Sequence, residues 1–335
     1  MKREVQIMSK VAAFAGHGTS QNGTWDSGCT YGKYTEAALV AKIAASCVQY
    51  LKASGVDVAT DAPANKINMV KQVARSNSES VKLHVAFHCD YSKAPKGTIP
   101  LYTSVRGCRL AKLMNKYVLK YSSLTTRGVA KRADLYELNA TDAPAVIFEV
   151  GSIKQDLKTM LKEYDAIGFG AAIGILEYLG VESRPKQYKL LAALDAVERK
   201  VISQHYKYKQ NANIHNGTIN CAEYISWGLR KIGILAKGHS IWLGKLMHGS
   251  GTSDIKKHCK VSHPNKKWNS CDLKIGDVVG FQWGNSKVHT MALLRFSGGY
   301  PVWATCGSSD IKAKNLSRRR TKYEKLPIKT LIRMK

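Results

Sequence analysis

Between Val11 and Leu179, short apolar runs alternate with longer amphipathic stretches. The runs VAAFAG (11–16), Val56–Ala59, KLHVAF (82–87) and AVIFEV (145–150) read as strands. Thr35–Ala53, Lys66–Ser76, Leu110–Tyr121 and Asp156–Leu179 carry helical periodicity. Successive parallel strands need a crossover that returns the chain to the same edge of the sheet, and a helix is the usual solution. The alternation therefore predicts an α/β unit over residues 8–180, with a mostly parallel sheet flanked by helices.

The segment GVESRPKQ (180–187) combines Gly, Pro and charge, and residues 181–187 are read as a linker. Beyond it, residues 188–335 change character. A helix near Leu190–Gln204 and another beginning at Cys221 precede β-like pieces at Asp277–Phe281, Val288–Phe296 and Tyr300–Thr305. Helices followed by strands predict an α+β unit. The polar stretch Gly249–Ser270 shows no assignable pattern. With 335 residues the chain has enough length for two cores.

No apolar run approaches the roughly 18 residues a membrane span needs, so no membrane insertion is expected. The amino-terminal segment is basic, but its apolar run is short and breaks at Gly16-His17. No secretory signal is expected from it, and Met8 is a candidate second start. Charge is divided unevenly. Residues 1–185 hold 24 Lys and Arg against 16 Asp and Glu, a balance of +8; residues 186–335 hold 28 against 8, a balance of +20. Such an excess favours polyanionic partners, with nucleic acid and wall teichoic acids as candidates. The eight cysteines form no CxxC pair and are expected to be reduced.

Four residues of the first region fall where an α/β sheet places ligands, outside the carboxyl ends of its strands. His17 follows the first strand in AGHG, His88 ends the third in VAFHCD, and Glu149 lies in FEVG. Glu36 opens the first long helix. Two imidazoles and a carboxylate can hold a catalytic zinc and leave one position for water. A further carboxylate can move the water's proton. Singly, each has a plainer reading: a histidine beside glycines suits a loop, and Glu36 suits a helix start. Glu149 is harder to explain that way, because an unpaired carboxylate in an apolar run is costly to bury.

Residues 8–180 resemble the zinc-dependent N-acetylmuramoyl-L-alanine amidases of bacterial and phage cell-wall lysis. The motifs that carry the resemblance are AGHG, WDSGCTYGKYTE, AFHCDY with GTIPLYT, and APAVIFEVGSI, in that order. The resemblance implies zinc held by His17, Glu36 and His88, with Glu149 as catalytic acid and base. Asp90 stands where that family usually has Asn, and GSIKQ departs from its last motif.

A second constellation lies in the basic half. Cys221 opens an amphipathic helix with Ile225, Leu229 and Ile232 on one face, and the helix dipole there favours a thiolate. His289 begins a later β-like run. A cysteine on a helix with a histidine on a strand is papain-like logic, though a buried structural thiol is the plainer reading. NCAEYISWGLRKIGIL, LKIGDVVGF, VHTMALL and VWATCGSSD resemble the NlpC-type papain-like cell-wall peptidases. That resemblance implies Cys221 as nucleophile, His289 as base and Thr305 as the residue orienting the imidazole, where Asn or Asp is more usual.

Together the resemblances imply a peptidoglycan hydrolase of the endolysin type, held in a host cytoplasm and then released onto the wall. Its second unit would cut a stem-peptide or cross-bridge bond. Two other readings stand beside this one. One takes the second unit as a wall-binding module only, from its charge and from Trp242, Trp268, Trp283 and Trp303. A nucleic-acid reading rests on charge and the SRRRTKYEK tail alone, without a recognition signature, so no nucleic-acid partner is expected. A cellular autolysin fits the same motifs.

Overall fold

The computed structural model describes residues 10–212, 216–241, 253–283 and 287–335. Met8, Trp242 and the side chain of Trp283 lie outside the described residues. The chain divides into two units between Pro185 and Lys186.

The first unit is built on a six-stranded mixed sheet. Its spatial order is Asp57–Ala59, Lys10–Ala15, His84–Asp90, Ala145–Ser152, Ile99–Tyr102 and Ala130–Lys131. The first four run parallel; Ile99–Tyr102 then pairs antiparallel with Ala145–Ser152. Short, apolar and buried, the central strands suit a sheet covered on both faces. The strand Ile99–Tyr102 and the short helix Tyr136–Ala140 are additions to the sequence reading. A proline inside four residues hid the strand, and five residues show no helical period.

The helices Glu36–Ala53, Val105–Tyr121 and Leu157–Leu179 pack together, the last touching both of the others. Small residues make this possible. A Cβ on Gly168 would stand 2.7 Å from the Ile43 carbonyl oxygen, and one on Gly170 2.7 Å from the Val118 Cα. The run IGFGAAIG therefore sets how closely these helices approach. The helix Glu36–Ala53 starts where it does because the Thr35 side chain accepts a hydrogen bond from the Ala38 N–H.

In the second unit the helices Lys186–Ser203 and Cys221–Lys231 share a core. Leu190, Leu194, Val197 and Val201 meet Tyr224, Ile225 and Leu229 there. An antiparallel sheet runs Cys259–Ser262, Pro327–Met334, Val278–Trp283, Lys287–Ser297, Tyr300–Ala304 and Ser317–Arg319. The Cys221 helix lies against the strand Lys287–Ser297. Within the stretch that showed no pattern, Ser253–His258 is helical and Cys259–Ser262 is a strand. All eight cysteines are free thiols. Among the described residues, no helix is long and apolar enough to cross a membrane.

Candidate functional site

Three adjacent parallel strands bring the first constellation to one edge of the sheet. Ala15 lies opposite Phe87, and Glu149 opposite His88, so His17, His88 and Glu149 leave the sheet side by side. Glu36 arrives from the first turn of its helix and is 3 % exposed. One ligand atom each from His17, Glu36 and His88 lies within 4.8 Å of the others. Glu36 bridges the two imidazoles, with Oε2 3.2 Å from His17 Nε2 and Oε1 3.0 Å from His88 Nδ1. The backbone makes room for them. His17 itself sits at φ 61°, a left-handed conformation rare outside glycine and often found at functional sites. A Cβ on Gly16 would fall 2.1 Å from the His88 ring, and one on Gly28 2.6 Å from Glu36 Oε2.

Two further carboxylates orient the imidazoles, and the sequence reading gave neither a role. His17 Nδ1 donates to Asp26 Oδ2 at 2.7 Å. Glu137, 2 % exposed, lies between His84 and His88, with its oxygens 3.4 and 3.8 Å from their Nε2 atoms. Carboxylates behind histidine ligands are the usual outer support of a metal site. Asp26 was visible inside WDSG; Glu137, in a five-residue helix, carried no signal.

Electrostatics follow from these contacts. Burial opposes ionisation of Glu36, but hydrogen bonds from His17 and His88 outweigh it and hold the carboxyl well below its usual range. Burial likewise opposes charge on Glu137, yet His84 and His88 bring it down to about 2. His88 is pushed well above the usual imidazole value, because Glu137 and Glu36 outweigh burial. Glu149 has no such partner. Burial, aided by Glu36 and Asp90, pushes its carboxyl up to about 7, and its buried Oε2 has no hydrogen-bond partner. Asp90 accepts from Arg127 at 3.0 Å, and both lie within electrostatic reach of Glu149. The donor set, its anionic surround and the orphaned Glu149 oxygen fit a divalent cation with a water beside it. A cavity of about 240 Å³ opens onto His17, Asp26, His88 and Glu137. A larger groove of about 610 Å³, near Val105 and Lys112, contains none of these residues and belongs to no chemistry described for this unit.

In the second unit, Cys221 begins its helix after Asn220, whose side chain accepts from the Glu223 N–H at 2.8 Å. Cys221 and His289 are 6 % and 7 % exposed. The Thr290 backbone, next to His289, hydrogen-bonds the Cys221 sulfur. His289 Nε2 lies 2.7 Å from Thr305 Oγ1, which in turn donates to the Thr290 carbonyl at 3.0 Å. A hydroxyl has one proton, so with that proton on Thr290 the imidazole must donate from Nε2. Nδ1 of a neutral His289 is then left as the basic nitrogen. The ring also stacks on Tyr323, 4.9 Å between centroids. The expected thiolate-favouring effect of the helix start is outweighed: burial pushes the Cys221 thiol up, against the backbone N–H groups of Thr290, Ala222 and Cys221. Burial, with Arg320 nearby, pushes His289 down to about 4. Arg320 and Tyr323, both absent from the sequence reading, come from the basic tail that had suggested nucleic acid.

Comparison with known proteins bears on the first unit. Residues 11–174 match the family profile of N-acetylmuramoyl-L-alanine amidase. No curated protein matches the chain. Solved structures similar to it include an N-acetylmuramoyl-L-alanine amidase of Nostoc punctiforme, 22 % identical with a TM-score of 0.47, over 51 % of this chain and 97 % of that one. The catalytic domain of an amidase from Bacillus (Paenibacillus) polymyxa var. colistinus is 24 % identical with a TM-score of 0.44, over 52 % of this chain and 100 % of that one. A third is an amidase of Clostridium difficile 630, 21 % identical with a TM-score of 0.46, over 52 % of this chain and 99 % of that one. On the family match, the first unit of this chain carries an N-acetylmuramoyl-L-alanine amidase domain.

Proposed function

We propose that the first unit hydrolyses the bond between the lactyl group of N-acetylmuramic acid and L-alanine in peptidoglycan, with His17, Glu36 and His88 holding a zinc ion. The observation that carries this reading is the convergence of those three ligand atoms beside Glu149. When bound, zinc supplies a Lewis acid for the carbonyl and makes water a nucleophile near neutral pH. Asp26 and Glu137 fix the ring orientations of His17 and His88. Glu149 takes the proton of the attacking water and passes it to the departing alanine nitrogen. A carboxyl near neutrality suits both halves of that transfer. Mass spectrometry of purified walls tests this. New L-alanine amino termini are expected, lost on chelation and restored by zinc. Their persistence in chelator and in His88→Ala sinks the zinc reading.

A second reading concerns the second unit, and the Thr290 and Thr305 contacts favour it. Cys221 attacks a peptide carbonyl in the stem or cross-bridge, and His289 receives the thiol proton through Nδ1. The amine leaves with that proton, and water releases the acyl group from sulfur. The whole chain is then a lysin with two cutting activities, of endolysin type and acting on the wall after release from a host cytoplasm. Its +20 second unit also attracts teichoic acids. If Cys221→Ser leaves every wall fragment unchanged, the second unit is a wall-binding module instead.

A further inference from the structure

We propose that Cys29 and Cys89 form an oxidisable dithiol whose disulfide clamps the metal-site loop onto the sheet. Cys29 follows Asp26 and Gly28 in the loop over Glu36, and Cys89 follows His88 in its strand. Their sulfurs and a Glu36 oxygen lie within 4.8 Å of one another. The Cys29 thiol donates to the Cys89 carbonyl at 3.4 Å and to the Asp90 carbonyl at 3.5 Å. Each cysteine's backbone N–H donates to a different oxygen of Glu36, both at 3.0 Å. One carboxylate thus fixes both backbones and holds the thiols together. Neither thiol has a part in the proposed hydrolysis.

Exposure assigns the roles. Cys29 is half-buried and within reach of a small oxidant, whereas Cys89 is 3 % exposed and stands behind it. With hydrogen peroxide, the Cys29 sulfur attacks one oxygen and the O–O bond breaks. This gives a sulfenic acid and one water. The Cys89 sulfur then attacks the oxidised sulfur, an S–S bond forms, and the hydroxyl leaves as a second water. The two thiol protons depart in the two waters; two electrons pass from sulfur to peroxide. The bond ties the loop bearing Asp26, which orients His17, to the strand bearing His88. That clamp slows dispersal of the metal ligands. Its effect on zinc rests on the metal reading above, whereas formation of the bond does not.

The test uses the full chain, with zinc content measured before oxidation so that the metal reading is judged separately. Protein treated with peroxide is alkylated, digested and mapped by mass spectrometry. A cross-linked pair containing Cys29 and Cys89 is expected, reversed by dithiothreitol and missing from Cys29→Ser and Cys89→Ser. Zinc transfer to a colorimetric chelator is expected to slow about threefold or more in oxidised wild type, with no change in Cys29→Ser. Cys29 driven to sulfinic acid while Cys89 remains alkylatable overturns the dithiol. An intact cross-link with unchanged zinc release overturns the clamp.

Discussion

His88 and His289 are both largely buried imidazoles on sheet strands, and burial opposes charge on each. Their neighbours decide the outcome. His88 faces Glu36 and Glu137 and is pushed well upward; His289 faces a threonine hydroxyl, with Arg320 nearby, and falls to about 4. The first site therefore concentrates negative charge around two imidazoles, as a cation holder does. At the second site burial pushes the Cys221 thiol up and the His289 imidazole down, so each favours its neutral form, in a dry setting where an ion pair is disfavoured until substrate brings further polar groups. Buried histidine by itself says little about mechanism; its partners specify the chemistry.

The largest test of this contrast is Glu149→Gln. Burial pushes Glu149 up to about 7, whereas Glu36 and Glu137 are held low by their imidazole partners. Replacing Glu149 is expected to lower the rate of amide hydrolysis about 100-fold or more, in keeping with loss of a general base. Bound zinc, measured by elemental analysis, should stay at the wild-type level. Loss of zinc together with activity would make Glu149 a ligand and redraw the site.

Asp26→Asn asks whether charge or mere hydrogen bonding supports the first site. Asn can still accept from His17 Nδ1, so ring orientation is retained. A drop in zinc affinity of about 10- to 100-fold is expected from the lost charge. Competition with a chelator measures it, and an unchanged affinity would erase the electrostatic distinction. At the second site the partner is neutral from the start. Thr305→Val removes the hydroxyl and leaves His289 Nε2 without its partner. Losing one such buried bond costs about 1–3 kcal/mol, so peptide cleavage should slow about 5- to 150-fold. The products released by Thr305→Val and Cys221→Ser, compared on one wall preparation, decide whether this histidine acts in catalysis at all.

How much of this was legible follows the same division. His17, Glu36, His88 and Glu149 could be named because strand ends and a helix start mark themselves locally, through apolar runs, glycines and a capping threonine. Glu137 could not, since its short helix reaches the site only through the strand order of the sheet. Pro100 disguised the antiparallel strand that completes the Glu149 edge. In the second unit, Thr305 was named only through the resemblance to the NlpC-type peptidases, which places a polar residue on the strand after His289. Arg320 and Tyr323 lie in a basic segment whose composition reads as solvated surface, although Arg320 is 8 % exposed and paired with buried Asp310. Burial of Cys221 was one of its two sequence readings; that desolvation outweighs the helix start was not legible, because a helix-start pattern announces the dipole alone.

A carboxyl away from both sites offers the smallest and cleanest check. Glu163 interrupts the helix Leu157–Leu179 with non-helical backbone angles and is 2 % exposed. Its Oε2 accepts from the Ser123 N–H at 2.6 Å, and no imidazole faces it. Burial pushes it up from 4.5 to about 7. If imidazole partners set the charge at Glu36 and Glu137, Glu163 shows what burial does when Ser123 and the more distant Lys162 and Lys96 act in their place. The folded chain holds this proton more tightly than the unfolded chain does. Stability contributed by the protonated group is therefore present at low pH and falls as pH rises from about 4.5 to about 7. Glu163→Gln keeps an oxygen for Ser123 and has no proton to lose. Its thermal midpoint relative to wild type should rise between pH 5 and pH 8, by an amount corresponding to about 1–3 kcal/mol. Taking variant minus wild type at each pH cancels the other titrating groups. A difference that stays flat across that range would mean that Glu163 is ionised when buried, and that burial without an imidazole partner is not what separates Glu149 from Glu36.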